Sequence, residues 1–385
     1  MDKVRYGIIG IGNMGSAHAA MLYRGDVPGA ELAAVCDIDP ARLRWAEASC
    51  ANAERFSDYR ELLKSKKVDA VIIATPHYLH PVIATEAFDA GLAVLSEKPI
   101  GVYTKAIYEL NAKALECKLP FCIMYNQRTN PVYQKMREIV RSGEIGQIKR
   151  VVWLITNWYR SQAYYNSGSW RATWAGEGGG VLLNQCPHNL DLWQWICGMP
   201  VSVRAFMSFG KHHSIEVEDD VTIYAEYENG ATGLFVTSTG EAPGTNRFEI
   251  SGTGGSLVYD GKLRFRKNLT DERDLNRDNT SPFGAPKCQE EVFDLPPSPE
   301  HKGILCNFTN HLLYGEELLS PGIEGINGLS ISNAAHLSQW QGNRAVSLPN
   351  DGEEFYAILK EKIAQSNVKD KTESVIADVE GTFNS

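Results

Sequence analysis

Val4-Arg5-Tyr6-Gly7-Ile8-Ile9-Gly10-Ile11-Gly12-Asn13-Met14-Gly15 is the stretch from which the rest of the chain can be read. The apolar run through Ile8 and Ile9 predicts a strand, and Ser16 to Tyr23 predicts a helix with small residues on its first turn. Between them lies Gly-x-Gly-x-x-Gly. Gly10 permits the tight turn, Gly12 lets the backbone approach a pyrophosphate, and Gly15 lets helix and strand pack closely, so that the helix N-terminus meets the phosphates. A second predicted strand, Leu32 to Cys36, ends in Asp37, 22 residues after Gly15, where a carboxylate would accept the adenosine ribose hydroxyls. Together these features predict a dinucleotide site. Asp37 favours NAD over NADP because its charge repels a 2′-phosphate, while Arg42 and Arg44 lie near enough in sequence to leave NADP open.

The alternation continues downstream. Predicted helices Pro40 to Ser49 and Tyr59 to Lys64 lead to a nearly continuous apolar strand, Val68 to Ala74, which ends in Thr75-Pro76-His77 with His80 following. A helix to Ala90 precedes the strand Leu92 to Leu95, which ends in Glu97-Lys98-Pro99. The helix Thr104 to Cys117 then leads to the strand Phe121 to Tyr125, which ends in Asn126. Such runs fit a doubly wound parallel sheet whose ligands sit outside the carboxyl ends of its strands. The glycine turn with Asn13 and Met14, Asp37, Thr75, Pro76, His80, Glu97, Lys98 and Asn126 all fall at that edge, so one crevice can hold them. Lys98 reads either as a solvated loop charge or as an ammonium that polarises an alcohol oxygen and stabilises the alkoxide as hydride leaves.

Composition narrows the class. A length of 385 residues suggests two domains. A net charge of −9 and a pI near 5.6 leave no basic footprint for nucleic acid, and no apolar run is long enough to span a membrane. Because the first residues lead into a strand and not a signal peptide, a cytoplasmic location is the expectation. The eight cysteines are scattered without a Cys-x-x-Cys pair, which predicts reduced thiols and no zinc cluster.

Beyond residue 126 the pattern changes. Pro131 to Ser142 predicts a linker helix, and from Ile148 strands follow one another without helices between them. An aromatic stretch, Trp158, Tyr159, Tyr164, Tyr165, Trp170 and Trp174, fits a core, a subunit interface or a surface on which sugar rings stack. Asn184 and His188, one turn apart, are expected to share a helix face, and Asp191 follows. His212, His213 and Glu216 read as a solvated loop, since neighbouring strand side chains diverge too far for a metal site. Asn229-Gly230 predicts a hairpin turn. Gly252 to Gly255 lacks a following helix and is rejected as a phosphate site. Lys267 to Pro299 reads as a long loop or edge excursion, and Leu305 to Leu313 and Gly328 to Gln341 as helices. His301 and Asn307 are candidates to reach the site, and the polar segment from Ser366 is expected to be mobile.

Gly10 to Gly15, Ala74-Thr75-Pro76 with His80, Glu97-Lys98-Pro99, and the block Gly178-Gly179-Gly180-Val181-Leu182-Leu183-Asn184-Gln185-Cys186-Pro187-His188-Asn189-Leu190-Asp191 together resemble the Gfo/Idh/MocA oxidoreductases. The resemblance implies an N-terminal Rossmann domain, residues 1–126, and a C-terminal domain, residues 127–385, built as α+β on a large, mostly antiparallel open sheet. It also implies hydride transfer between NAD(P) and a secondary alcohol of a sugar, glycoside or cyclitol. Lys98 and His188 would then be the catalytic pair, with His188 as acid/base, and Asn184, Tyr159 and Arg171 would contact substrate. No metal is required. Two departures stand out: Asn184 occupies the position of the family's aspartate and Cys186 that of a common glycine, which suggests a subgroup with its own substrate. An open sheet face implies a homodimer or homotetramer. Two alternatives stay open: a redox-neutral glycosidase or lyase with tightly bound NAD, and a non-catalytic sensor of NAD or sugar.

Overall fold

The computed structural model describes residues 2–367. In the first half, β1 (Val4–Ile9), α1 (Asn13–Tyr23), β2 (Ala30–Cys36), α2 (Pro40–Ser49), β3 (Glu54–Phe56), α3 (Tyr59–Lys64), β4 (Ala70–Ile73), α4 (Leu79–Asp89), β5 (Ala93–Ser96), α5 (Thr104–Cys117) and β6 (Phe121–Ile123) follow in turn. The six strands form a parallel sheet in the order β3-β2-β1-β4-β5-β6. Every residue of β4 and β5 is buried, as expected of strands covered on both faces. Asp39 and Asp58 cap α2 and α3 by accepting the backbone N–H two residues on, and Pro40 occupies the first turn of α2. The strand order reverses at β1, between β2 and β4, and this switch point opens the ligand crevice. β3 goes beyond the sequence reading: three residues with two exposed side chains give no apolar run to read.

After a 3-10 turn at Asn126–Thr129, α6 (Pro131–Arg141) bridges to the second half. There β7 (Ile148–Ile155), α7 (Gln162–Asn166), α8 (Pro187–Cys197), β8 (Ser202–Phe209), β9 (Glu218–Glu226), β10 (Thr232–Ser238), β11 (Asn246–Gly252), β12 (Gly255–Tyr259), β13 (Leu263–Asn268), α9 (Glu272–Asp278), β14 (Cys288–Phe293), α10 (Glu300–Tyr314), α11 (Gly325–Trp340), β15 (Val346–Ser347) and α12 (Glu353–Ala364) follow. Nine strands form one sheet, β14-β13-β12-β11-β7-β10-β9-β8-β15, in which only β7 and β10 run parallel. One face carries Val151, Trp153, Ile223, Phe235 and Phe248 into a core shared with α8 and α11. The other alternates Val152, Leu154, Phe206, Tyr224, Leu234 and Val236 outward, and Phe206 is 55% exposed.

The Asn229-Gly230 hairpin forms, with Gly230 at φ +81°. Lys267 to Pro299 is an edge excursion, holding α9 and the outermost strand β14. α10 returns to the first sheet, where Thr309 hydrogen-bonds the Tyr6 hydroxyl at 2.8 Å, so the parallel half is completed by residues far beyond position 126. Of the polar segment from Ser366, Ser366 itself donates to Glu216 at 2.6 Å, and everything after Asn367 lies outside the described residues.

Candidate active site

The glycine turn is shaped as its sequence requires. Gly10 has φ +89°, and a Cβ at Gly15 would stand 1.9 Å from the Gly10 carbonyl oxygen, so a side chain there would force the helix off the strand. A Cβ at Gly12 would meet nothing within 4 Å, so the space above it is open. Asn13 and Met14 open α1 beside it, half-buried. Asp37 accepts the backbone N–H of Ile11 at 2.7 Å and of Asp39 at 2.9 Å, one on each oxygen, which fixes the carboxylate at the end of β2.

Several buried polar atoms near these strand ends have no protein partner. They include Thr75 Oγ1, Asn126 Oδ1 and both ring nitrogens of His188. Buried groups of this kind are costly unless a ligand or water satisfies them. With the open cradle at Gly12 and the acidic end of β2, they fit a bound dinucleotide.

Glu97 and His80 stand behind this surface. Glu97 Oε1 meets His18 Nε2 at 2.7 Å, and its second oxygen accepts the Lys98 backbone N–H at 3.1 Å. Burial pushes its carboxyl up, but the His18 hydrogen bond and the charges of His18, His301 and Lys98 outweigh this and hold it at about 2. Both nitrogens of His80 face carbonyl oxygens, of Pro99 at 2.7 Å and Thr75 at 2.6 Å. Both side chains are thus fixed by protein partners and brace the ends of their strands. His18 escapes a reading of the sequence because a histidine inside a small-residue helix carries no signal of its partner.

Lys98 extends from the end of β5 and donates from Nζ to the Asn184 carbonyl at 3.0 Å, joining the two halves of the chain. Burial lowers its pKa, with Glu97 and Glu177 opposing and Arg160 and Arg171 adding to the shift. His188, on the first turn of α8, is 5% exposed. Burial, then the charges of Lys98 and His301, push it well below the ordinary histidine value. The same influences hold the ring in its neutral form and make it a weaker base than a solvated histidine. His301 does reach the site, with its ring 5.7 Å from that of His18 and its Nδ1 3.4 Å from the Asn126 amide. Asn307 does not; it is spent on Glu316, the Glu317 carbonyl and the Leu319 N–H.

Asn184 lies before α8, not on it, so it shares no helix face with His188. Its amide Nδ2 donates instead to Glu177 Oε1. Asp191 faces away from the histidine and forms a bidentate pair with the buried Arg128 at 2.7 and 2.8 Å. Arg171 stacks on Trp170 and Tyr164 and donates to the Tyr164 hydroxyl at 2.9 Å, where Gln185 also donates at 3.3 Å. Tyr164 is therefore the ring joined to this cluster, while Tyr159 stands 52% exposed on the loop after β7. Of the suspected solvated histidines, His213 is in fact held between Asp219 at 3.1 Å and the Arg160 carbonyl at 2.8 Å, and no cluster fit to hold a metal occurs among the described residues.

Comparison with known proteins follows the two halves. Residues 4–122 match the family model described as "Oxidoreductase family, NAD-binding Rossmann fold", and residues 133–258 match "GFO/IDH/MocA C-terminal domain". Levoglucosan dehydrogenase of Pseudarthrobacter phenanthrenivorans is 28% identical over 325 residues, 73% of this chain and 81% of that protein. The NAD(+)-dependent scyllo-inositol 2-dehydrogenase of Bacillus subtilis is 28% identical over 274 residues, 68% and 75% of the two chains. Among solved structures, the WlbA dehydrogenase of Bordetella pertussis in complex with NADH and UDP-GlcNAcA superposes with a TM-score of 0.76 at 27% identity, covering 90% of this chain and 99% of that one.

Proposed function

Since this chain belongs to the Gfo/Idh/MocA oxidoreductases and takes NAD in its Rossmann domain, we propose that it oxidises a secondary alcohol of a sugar, glycoside or cyclitol through Lys98 and His188. The observation that carries the assignment is geometric: His188 is buried with neither ring nitrogen paired in the protein, and Lys98 reaches the Asn184 carbonyl four residues before it. Bound NAD supplies the hydride acceptor. Gly10 to Met14 and Asp37 hold the pyrophosphate and ribose, and Thr75, Pro76 and Asn126 face the crevice beyond them. Asp37 favours NAD because a 2′-phosphate would meet its charge.

Lys98 has three N–H donors and spends one on Asn184, so the others can polarise the reacting oxygen and stabilise it as its proton leaves. His188 takes that proton. Asn184 and Arg171 position the remaining hydroxyls, with Tyr159 at the rim. We further propose a cytoplasmic homodimer or homotetramer joined through the outward face of the nine-stranded sheet. No helix among the described residues is long and apolar enough to cross a membrane.

The test is absorbance at the reduced-nicotinamide band during incubation with NAD and a panel of hexoses, glycosides and inositols. Steady accumulation with one polyol, lost in Lys98→Ala and His188→Ala, is the expected result. A single stoichiometric burst would replace this reading with a redox-neutral cycle. Tight NAD binding without turnover of any panel member would replace it with a sensor.

A further inference from the structure

Position 184 carries an amide where the family resemblance implies a carboxylate, yet the structure puts a carboxylate against that amide. Glu177 lies seven residues upstream, 2% exposed, with Oε1 accepting from Asn184 Nδ2 and Oε2 accepting the Ala172 N–H at 2.5 Å. The loop is folded to present it. Ala172 sits at φ +53°, a strained conformation for a residue with a side chain, and the N–H groups of Glu177 and Gly178 both return to the Thr173 carbonyl at 2.9 and 3.0 Å. Gly180 packs where a Cβ would stand 2.0 Å from the Glu218 carbonyl, so the strand of glycines cannot slide away from this arrangement.

We infer that Glu177 is a positioning residue for the proposed reaction, fixing which way the Asn184 amide points and supplying beside Lys98 the negative charge that position 184 lacks. An ionised carboxylate can only accept hydrogen bonds, so it must face the amide nitrogen and leaves Asn184 Oδ1 as the atom offered to a substrate hydroxyl. The backbone of the same asparagine receives Lys98 Nζ, so one residue links the carboxylate to the lysine. Burial, with Glu218 adding to it, raises the pKa of Glu177, while Arg171, the Ala172 N–H and the Asn184 amide pull the other way and favour the ionised form that this pairing uses. Glu218 is itself committed, to the Gly180 and Leu182 N–H groups and to His336 at 3.0 Å.

This inference rests on the dehydrogenase reading, and a double-mutant cycle tests the two separately. In Glu177→Gln the partner can both donate and accept, so the amide loses its fixed sense; kcat/KM for the polyol found by the panel falls roughly tenfold to a hundredfold. Asn184→Asp, with Glu177 in place, sets two carboxylates in contact and falls comparably. The double variant E177Q/N184D restores one carboxylate and one amide, and recovers to within about tenfold of the native enzyme. Thermal unfolding of the same four proteins needs no substrate: Asn184→Asp lowers Tm by at least about 3 °C more in the native background than in the E177Q background. Losses that simply add in both measurements overturn the inference. Coupling in Tm with no turnover of any polyol upholds the Glu177 pairing and rejects the dehydrogenase reading.

Discussion

At the scale of single residues, chemistry and support divide between neighbours. Glu97 and Lys98 are adjacent, but the carboxylate is locked behind the sheet edge by His18 while the ammonium crosses to Asn184. Residue type and strand-end placement draw attention to Lys98, whereas His188, on a helix, is singled out through the family resemblance. Neither route shows that both nitrogens of His80 face backbone carbonyls, or that Glu177 and Tyr164 are partners of Asn184 and Arg171, because those pairings arise from loop geometry with no periodic signature. The depressed pKa of His188 has a direct consequence. A base that stays neutral below the ordinary value of 6.5 gives a kcat/KM that is level from pH 7.5 through 6.5 and breaks only below it; a break at or above 6.5 would contradict the assignment. Replacing Lys98 by Met removes the donor from the reacting oxygen and should lower kcat about a hundredfold to a thousandfold, with NADH binding, followed by its fluorescence, largely kept.

At the scale of elements, the first sheet is the most legible part, since continuous apolar strands alternate with helices and several of them are flanked by Gly, Pro or Asp. The short strand β3 and the edge strand β14 with its exposed residues are not, because neither carries a strong periodic core face. The glycine turn also separates fold from function within a single motif. Gly15→Ala drives a methyl into the Gly10 carbonyl and should cost about 2 kcal/mol or more in unfolding measurements. Gly12→Ala meets open space, so its Tm should stay near native while NADH affinity drops about tenfold or more by titration; equal Tm losses in both variants would refute this division.

For the whole molecule, several buried histidines set the acid limit. His301 is held by burial at about 4, against 6.5 when unfolded. Between those values the unfolded chain binds the extra proton and the native state does not, so stability falls as pH drops from 6.5 toward 4, by up to about 3 kcal/mol from this residue. His77 and His188, pushed the same way by burial, add to the loss. Glu97 has the opposite chemistry and the same outcome lower down: its stabilisation, complete above its unfolded value of 4.5, is lost as pH falls toward 2. Tm recorded from pH 7 to 4 should decline steadily, and His301→Gln should flatten part of that slope. The outward sheet face predicts association. Phe206 stands opposite Thr222, and Val236 opposite both Thr222 and Leu154, giving a row across four strands that is apolar except at Thr222. Phe206→Glu with Val236→Asp should lower the mass seen by light scattering to that of a smaller assembly, and an unchanged mass would place any interface elsewhere.

The contact between Lys98 and Asn184 also determines what could be separated. The glycine loop, the acidic strand end and the lysine lie on one side of the 3-10 turn at Asn126–Thr129, and the histidine lies on the other. If the chain were divided at that turn, the glycine loop and the lysine would go with one piece, and the histidine, together with the helix α10 that completes the parallel half, with the other. Neither piece would own the reaction, which belongs to the seam between them.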